Sequence, residues 1–425
     1  MKCKKVIGIL MAASMVAGMT AGTAVTASAS ESEEVTLTMM NHTSEEATIA
    51  WEDAIIEEFE ESHPGVTIEI SRMSYDDYIQ TLQTKFASGD APDLFYVEAA
   101  YIDKYVQNGY IGSLEDLDLA SKYEDGAYDM LSSDGTPYAL PWGTSTMCVT
   151  YNKDVFAEAG IDAVPTTLDE FYEDCQKIQD AGYTAIGAAY ADTWCLMADF
   201  QADSDTSVLP NDPNAIKDVE SRDVKFVDSD AWRGVLERLQ ERQQYANKDV
   251  FGTDWDSVCT DIANGDTAMT LNGSWAESNI RAMNPDANIG VFAFPVSNDS
   301  AANLLPIQGG NEGIAYNPEG KNADVAKEFI DAFTTAESGQ KYMDETGNIS
   351  IIKGVSTDGV TGGLGDIVDL MNNGGSVSLG STDHNFTSEY RDAVQTVVSD
   401  FLLSEKSVDE ALSDLDEEFD RIANS

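Results

Sequence analysis

The chain has 425 residues, of which 42% are hydrophobic and 9% aromatic, so it is long and apolar enough to form two or three domains with substantial cores. Its 76 acidic and 24 basic residues give a formal net charge of −52, which repels nucleic acid and anionic lipid headgroups and excludes both as expected partners. Neutral and cationic ligands are compatible with this charge.

Residues 1–29 have the features of a secretory signal peptide. Lys2, Lys4 and Lys5 precede an apolar run that ends in small residues, so cleavage is expected after Ala29. The mature chain would then carry 21 basic and 76 acidic residues, a net charge of −55. No later segment approaches the about 18 uninterrupted apolar residues of a membrane-spanning helix. The sequence therefore predicts an extracytoplasmic protein: secreted, cell-surface associated or periplasmic.

The first predicted elements alternate between strands and helices. Residues 35–40 (VTLTMM) form a strand, and large apolar residues at every fourth position from Trp51 to Phe59 predict an amphipathic helix. Thr43 and Glu46 have the spacing of a capping box at the start of this helix. A second strand (VTIEI) follows.

The next helix is expected to begin after Ser74 and to end at Gly89. Residues 92–97 (PDLFYV) are nearly all apolar, which is typical of a strand covered on both faces.

Later segments repeat this alternation. Thr167 and Ser407 each stand three residues before a glutamate and open predicted helices, and Asn322 precedes a third helix. Segments 202–225 and 354–382 are rich in Gly, Ser, Asp and Asn and are predicted to be loops or linkers. The fold class that follows is α/β, with open and mostly parallel sheets flanked by helices.

One tryptophan stands at a strand-to-helix junction. The segment 265–280 reads GDTAMTLNGSWAESNI, in which Trp275 directly follows the break at Asn272-Gly273-Ser274. Taken locally, packing in a core is the more common role of such a residue. Ligands of open α/β sheets, however, bind beyond the carboxyl ends of the strands, and Trp275 lies at such an end.

Four segments together resemble one family. They are YALPWGTSTMCVTYNKDVFAEAGIDAVPTTLDEF (138–171), the segment around Trp275, NIGVFAFPVSND (288–299) and GGNEGIAYNPEGKNADVAKEFIDAF (309–333). Their order along the chain resembles that of the extracellular solute-binding proteins of carbohydrate ABC importers, a maltose-binding-protein-like family. The resemblance extends from about Val35 to the C-terminus.

The resemblance implies two α/β lobes that close on a sugar by a hinge motion. The implied boundaries are a signal peptide at 1–29, an N-terminal lobe of 30–142 plus about 308–355, and a C-terminal lobe of about 143–307 plus 356–425. The implied crossings lie near Gly143 to Met147, near Ala302 to Gln308 and within 353–362. Trp275 matches the family's position for an aromatic residue that stacks on a pyranose ring.

Candidate ligand contacts follow from loop position and from the chemistry of sugars. A sugar has apolar C–H faces that an indole can cover and a rim of hydroxyls that carboxylates, amides and backbone groups can satisfy. The candidates are Trp275, Trp194, Trp142, Asn41, His42, Glu98, Tyr101, Ser145, Gly310, Asn311, Glu312, His384 and Asn385.

Several candidates have structural alternatives. Asn41 and Asn311 are equally suited to capping turns. Trp142 is as well placed for the core of a crossing as for the ligand, and His384 is more often a loop residue than a contact. The polar neighbours of Trp194 favour a ligand-facing position.

The chain departs from the family pattern at three places. Ser145 stands where maltose-binding relatives have an acidic contact, and Glu389-Tyr390-Arg391 replaces an aromatic pair. Both changes argue against maltose while leaving sugars as the ligand class. Thr23 stands where lipoprotein relatives have the cysteine that carries the lipid, so no lipid anchor is expected.

No cofactor and no metal are expected. Cys148, Cys175, Cys195 and Cys259 lack the CxxC spacing of zinc sites, and a chain of this size does not require disulfides, so buried thiols are favoured.

The expected function is a monomeric receptor that captures a neutral mono- or oligosaccharide and delivers it to an ABC permease. GxSxG, HExxH and Walker A motifs are absent from the sequence, and no enzymatic activity is expected. The alternatives are a binding protein for a polyamine or another non-sugar solute, a surface adhesin and, less favoured, a secreted glycosidase with paired carboxylates.

Overall fold

The structure is a computed structural model that describes residues 34–379, 385–404 and 406–424. The predicted signal peptide and His384 lie outside the described residues.

Strands and helices alternate along most of the described chain. The strands are β1 (Val35–Asn41), β2 (Val66–Arg72), β3 (Leu94–Glu98), β4 (Ser132–Ser133), β5 (Thr136–Pro137), β6 (Met147–Asn152), β7 (Thr184–Ile186), β8 (Thr267–Gly273), β9 (Ile289–Phe292), β10 (Leu305–Ile307), β11 (Glu312–Tyr316) and β12 (Ser376–Ser378). The helices are α1 (Glu46–Ser62), α2 (Tyr75–Ser88), α3 (Ile102–Gln107), α4 (Leu119–Lys122), α5 (Lys153–Glu158), α6 (Leu168–Asp180), α7 (Thr193–Ser207), α8 (Ala215–Glu220), α9 (Asp230–Arg242), α10 (Trp255–Asn264), α11 (Ala276–Met283), α12 (Ala323–Phe333), α13 (Ala336–Thr346), α14 (Gly362–Asn372), α15 (Ser388–Leu403) and α16 (Val408–Ala423).

The first sheet has the strand order β11-β3-β1-β2 and belongs to the N-terminal lobe. β1 pairs in parallel with β2 and β3, as the strand–helix alternation predicts, and β11 closes the edge in antiparallel orientation. Trp51 and Phe59 of α1 are fully buried in the core of this lobe together with Phe333 of α12. The predicted apolar stripe of the first helix is therefore confirmed.

The second sheet has the order β7-β8-β6-β9 and belongs to the C-terminal lobe. Only the β7–β8 pairing is parallel here, whereas β6 is antiparallel to both β8 and β9, so the expectation of mostly parallel pairing is wrong for this sheet. The start of β6 lies beside the end of β9, so the chain enters and leaves this lobe at the same edge of the sheet. Two neighbouring strands of which one begins and the other ends at that edge must run in opposite directions.

Helix caps follow the sequence signals, with one exception. Thr167 and Ser407 form complete capping boxes with Glu170 and Glu410, and Ser74 caps α2. The capping box predicted at Thr43 is wrong, because its hydroxyl donates instead to the buried carboxylate of Glu52 at 2.8 Å.

Both predicted loop segments contain regular structure. Segment 202–225 holds the end of α7 and all of α8, and segment 354–382 holds α14 and β12. The acidic residues of α7 mimic the composition of a loop. They are buried nonetheless, because arginines of α9 neutralise Asp199 and Asp203 and the Gln308 amide donates to Asp205.

The contact between α7 and α9 is a buried ion-pair network. Arg242 places its guanidinium 2.7 Å from Asp199 Oδ1 and 2.8 Å from Asp203 Oδ2, and Arg238 binds Asp203 from the next turn of α9. Arg242 and both aspartates are almost completely buried. Charges held without water require such mutual pairing, so this network fixes the helix that carries Trp194.

Three stretches of chain meet between the two sheets. Thr144 N–H donates to the Ile349 carbonyl at 2.8 Å, and the Thr146 hydroxyl donates to the Pro306 carbonyl at 2.7 Å. A Cβ on Gly143 would stand 2.2 Å from the ring of Tyr342, so this close approach requires glycine. The residue boundaries of the two lobes stay a prediction.

The four cysteines of the described chain are buried free thiols, as the sequence favours. No helix among the described residues combines the length and apolarity needed to cross a lipid bilayer.

The substitution Arg242→Met is expected to lower the free energy of unfolding by about 3–5 kcal/mol, because it leaves two buried aspartates without a counter-charge. Urea unfolding followed by circular dichroism measures the loss. Arg421→Met, at an exposed ion pair with Glu418, is the control and should change stability by no more than about 0.5 kcal/mol. A loss of less than about 1 kcal/mol for Arg242→Met would show that the network does not hold the lobe together.

Candidate functional site

The main cavity lies between the two lobes and has a volume of about 930 Å³. The first lobe contributes the end of β3 and the first half of α2, and the second lobe contributes α7 and the beginnings of α11 and α15. Helix beginnings and strand ends converge here because both sheets direct their connecting loops to this gap. A second depression, of about 640 Å³, lies on the outer face of the first lobe between α1 and α12 and contains none of the predicted site residues.

Trp275 lines this cavity two residues after β8. A Cβ on Gly273 would lie 2.0–2.3 Å from three neighbouring atoms of the indole ring, so the ring lies face-on against this glycine. The edges of the indole pack on buried residues of the second lobe. One face is thus covered by backbone, and the side chain is left half-exposed at the cavity.

The turn that carries Trp275 is tied to the segments between the lobes. Ser274 N–H donates to the Thr146 carbonyl at 2.9 Å, and the Ser274 hydroxyl donates to Asn348 Oδ1 at 2.9 Å. The orientation of the indole is therefore coupled to the place where the chain passes from one lobe to the other.

Trp194 is the second indole at the cavity and is 37% exposed. It lies in the first turn of α7 and meets the buried Trp255 edge-on, with ring centroids 5.3 Å apart. Asp192 Oδ2 accepts a hydrogen bond from the backbone N–H of Trp255 at 2.7 Å and so joins the starts of α7 and α10. The exposed indole is consequently held on a rigid support.

His42, Glu98 and Glu312 form a charged cluster at the edge of the first sheet. They follow β1, end β3 and begin β11, and Glu312 stands directly opposite Glu98 in the strand register. His42 Nε2 lies 2.5 Å from Glu312 Oε1. Tyr75 and Glu98 both line the cavity beside this cluster.

The protonation of this cluster follows from its neighbours. Burial acts to lower the pKa of His42, but Glu312, Glu98 and Glu45 outweigh it and raise the pKa to about 9. Burial, and then the charge of Glu312, raise the pKa of Glu98, while Arg391 acts to lower it. At neutral pH His42 is thus an imidazolium, and together with Glu98 and Glu312 it forms a strongly polar set of hydrogen-bonding groups.

The same cluster is the candidate for metal binding among the described residues. One donor atom from each of His42, Glu98 and Glu312 lies within 4.8 Å of the others, a suitable spacing for coordination. The hydrogen bond between His42 and Glu312 already explains why these two side chains lie close together, so their geometry does not require a bound ion. The expectation of no metal stays a prediction.

The cavity brings together about half of the predicted site residues. Its walls include Trp275, Trp194, Glu98, Tyr101, Asn311 and Asn385. His42 and Glu312 lie directly behind Glu98 and contact the cavity through it.

Asn41 and Trp142 do not face the cavity, and the structure corrects both predictions. Asn41 is completely buried, and its amide donates to Glu52 at 2.9 Å. Trp142 packs in the core of the first lobe, with its ring centroid 4.4 Å from that of Tyr96 and 5.8 Å from that of Trp51. Asn41 therefore serves as a hydrogen-bond partner of the buried Glu52, and Trp142 as part of a cluster of aromatic rings.

Ser145 and Gly310 do not line the cavity; they lie beside the segments that meet between the two sheets. The Ser145 hydroxyl donates to Gln308 Oε1 at 2.9 Å, and the Gln308 amide donates to Asp205 at 2.7 Å. Burial raises the pKa of Asp205 to about 8. Gly310 is buried against Pro141, where a Cβ would stand 2.6 Å away.

Several cavity residues escaped the sequence analysis. The additional lining includes Tyr75, Asp129, Met197, Lys217 and Arg391. Tyr75 follows the end of β2, at the same sheet edge as the predicted residues, and this position could have identified it. Arg391 belongs to the segment Glu389-Tyr390-Arg391, which replaces the aromatic pair of maltose-binding relatives. Tyr390 of this segment does not line the cavity, because its ring packs on Phe419.

Comparisons with known proteins agree with this architecture. The Multiple sugar-binding protein of Streptococcus mutans is 27% identical over 345 residues, which cover 78% of this chain and 79% of the relative. A solved chitin oligosaccharide binding protein superposes with a TM-score of 0.80 at 22% identity, covering 92% of this chain and 100% of its own. The solute-binding protein RafE in complex with raffinose has a TM-score of 0.74, also at 22% identity, with 92% and 100% coverage. The predicted α/β fold is thereby confirmed.

The family model for bacterial extracellular solute-binding proteins matches residues 43–340, well over half of the chain. Together with the two sheets and the cavity between them, this match establishes that the chain belongs to the bacterial extracellular solute-binding protein family.

Proposed function

We propose that this protein is an extracytoplasmic receptor that captures a neutral mono- or oligosaccharide between its lobes and delivers it to an ABC permease. The observation that carries the proposal is a cavity between the lobes with two accessible indoles and a polar rim. Relatives and structural neighbours named for binding sugars, raffinose and chitin oligosaccharides support it.

The chemistry of the walls suits a polyol. Trp275 and Trp194 offer flat apolar surfaces for C–H faces, while Glu98, Asn311 and Asn385 offer acceptors and donors for hydroxyls. If Trp275 removes on the order of 80 Å² of apolar area from water, it contributes roughly 2 kcal/mol. Micromolar affinity needs about 8 kcal/mol, so contacts from both lobes must add to it.

The charge of the walls argues against anionic sugars and leaves a second candidate. The carboxylates at the cavity are Glu98, Asp103, Asp129, Glu220 and Asp392, and the cations are Lys217 and Arg391. Such a surplus of acidic groups repels uronates and phosphorylated sugars. It also suits a polyamine, which is the alternative ligand.

Secretion through the signal peptide at 1–29, without a lipid anchor, is part of the proposal, as are a monomeric state and the absence of enzymatic activity. A receptor of this kind returns its ligand chemically unchanged.

A thermal-shift screen of the mature protein tests the ligand class. The probes are raffinose, stachyose, maltotriose, diacetylchitobiose and spermidine, and at least one sugar is expected to raise the melting temperature, because selective binding to the native state stabilises it. Chromatography of the recovered sugar should show no cleavage. A shift with spermidine alone would favour the polyamine receptor, and hydrolysed sugar would indicate a glycosidase.

The substitution Trp275→Ala is expected to weaken binding of that sugar by roughly 30-fold or more, since about 2 kcal/mol of contact is lost. Isothermal titration calorimetry measures the change, and Trp275→Phe should give an intermediate loss because a smaller flat ring is kept. An unchanged melting temperature of the unliganded variant serves as the control for folding. Full affinity in the alanine variant would remove Trp275 from the site.

The substitution Gly273→Ala is expected to weaken binding in the same assay, because a methyl group there would displace the indole from its seat. Combined with Trp275→Ala it should add little, since both changes remove the same contact. Additive losses would show that Gly273 acts through something other than the position of the indole.

A further inference from the structure

One arginine at the cavity lacks the partner that every other arginine has. Among the described residues, seven of the eight arginines form ion pairs with carboxylates: Arg72, Arg222, Arg233, Arg238, Arg242, Arg281 and Arg421. No described residue forms an ion pair or a side-chain hydrogen bond with Arg391. In a chain with 76 acidic residues an arginine without a carboxylate partner is unusual.

Arg391 is also distinguished by its position. It lies in the first turn of α15 in the second lobe, is half-buried and lines the cavity. The groups of the first lobe that feel its charge are Glu98, Tyr75 and Tyr101, all of which line the opposite wall. Arg391 and Glu98 therefore face each other across the space that the ligand would occupy.

We propose that Arg391 and Glu98 form an ion pair across the cavity when the lobes close on a ligand, so that this pair secures the closed state. The inference rests on the proposed function, because it requires a ligand that draws the two lobes together. Glu98 would thus serve both as an acceptor for sugar hydroxyls and as one half of this pair, whereas the role of Arg391 is to position the lobes.

The energetics of closure favour such a pair. Glu98 and Arg391 are each only partly exposed at the cavity, and closure would remove the water that still reaches them. A charge that loses water without a partner costs several kcal/mol, whereas two opposite charges that meet compensate each other. A neutral ligand supplies no counter-charge, so the protein must provide the pair itself. An anionic ligand would compete for Arg391 and a cationic one for Glu98, and the pair would therefore favour neutral ligands.

Chemical cross-linking tests the approach of the two positions without reference to affinity. In the double variant Glu98→Cys/Arg391→Cys, a short bifunctional maleimide is expected to join the two thiols, with a faster reaction when raffinose or another binding sugar is present. The native cysteines are buried, and burial raises the pKa of Cys148 to about 12, so they should not react. Glu98→Cys/Arg421→Cys is the matched control and should give no intramolecular product.

A double-mutant cycle tests the energetic coupling. Arg391→Met and Glu98→Gln are each expected to weaken binding of the tightest sugar by about tenfold, and the double variant should be little weaker than either single one. Arg391→Lys should restore part of the affinity, because it keeps the charge but not the planar fork. Lys217→Met removes another cation from the cavity and should show no coupling to Glu98→Gln. Arg421→Met, in an exposed pair on α16, should bind like the parent protein.

Small-angle scattering adds a direct measure of closure. The radius of gyration of the parent protein should fall on binding, and that of Arg391→Met should fall less. Additive effects of Arg391→Met and Glu98→Gln, or the absence of a cross-link under every condition, would overturn the inference. If none of the sugars binds, the proposed function fails, while the cross-link still decides whether the two positions meet.

Discussion

The hydrogen bonds among the three stretches of chain that join the lobes are the constraint on which the site depends. Thr144 is bonded to Ile349, and Thr146 to Pro306, so segments far apart in sequence form one narrow waist. The waist has little room for side chains, which explains the buried glycines beside it. Because Ser274 binds both Thr146 and Asn348, the turn that carries Trp275 is anchored to this waist rather than to the lobe alone.

The two walls of the cavity differ in character because they are built differently. The first wall is the edge of a sheet, where β1, β3 and β11 bring His42, Glu98 and Glu312 together, and its charges are coupled to one another. The second wall consists of helix starts, which hold the indoles on rigid supports. The two indoles thus come from the second wall, while hydrogen-bonding groups come from both walls, an arrangement suited to a ligand with flat faces and a hydroxyl rim.

The sequence predicted cavity residues correctly where their position follows directly from the end of a strand or the start of a helix. Trp275, Trp194, Glu98, Tyr101, Asn311 and Asn385 all lie at or near the end of a strand or the start of a helix, and all line the cavity. The sequence was misleading where a ligand contact and a structural hydrogen-bond partner have the same sequence pattern. Asn41 ends a strand like a ligand contact, but the buried Glu52 below it takes its amide.

The helix α7 was missed for a physical reason as well. Its aspartates have the composition of a loop, and ion pairs with Arg238 and Arg242 of α9 make Asp199 and Asp203 compatible with burial. That pairing joins segments some 40 residues apart and leaves no periodic trace within α7. Long-range neutralisation of this kind is not accessible to reasoning from local pattern, whereas the cap signals at Thr167 and Ser407 are, since both partners lie within one turn.

The distribution of the indoles has an optical consequence. Trp51, Trp142, Trp232 and Trp255 are all at least 91% buried, while Trp194 and Trp275 border the cavity. Emission from the four interior rings is shielded from whatever occupies the gap, so a spectral change upon loading arises at the other two. The fluorescence of Trp194 and Trp275 therefore reports whether the cavity is occupied, and no dye has to be attached to follow ligand binding.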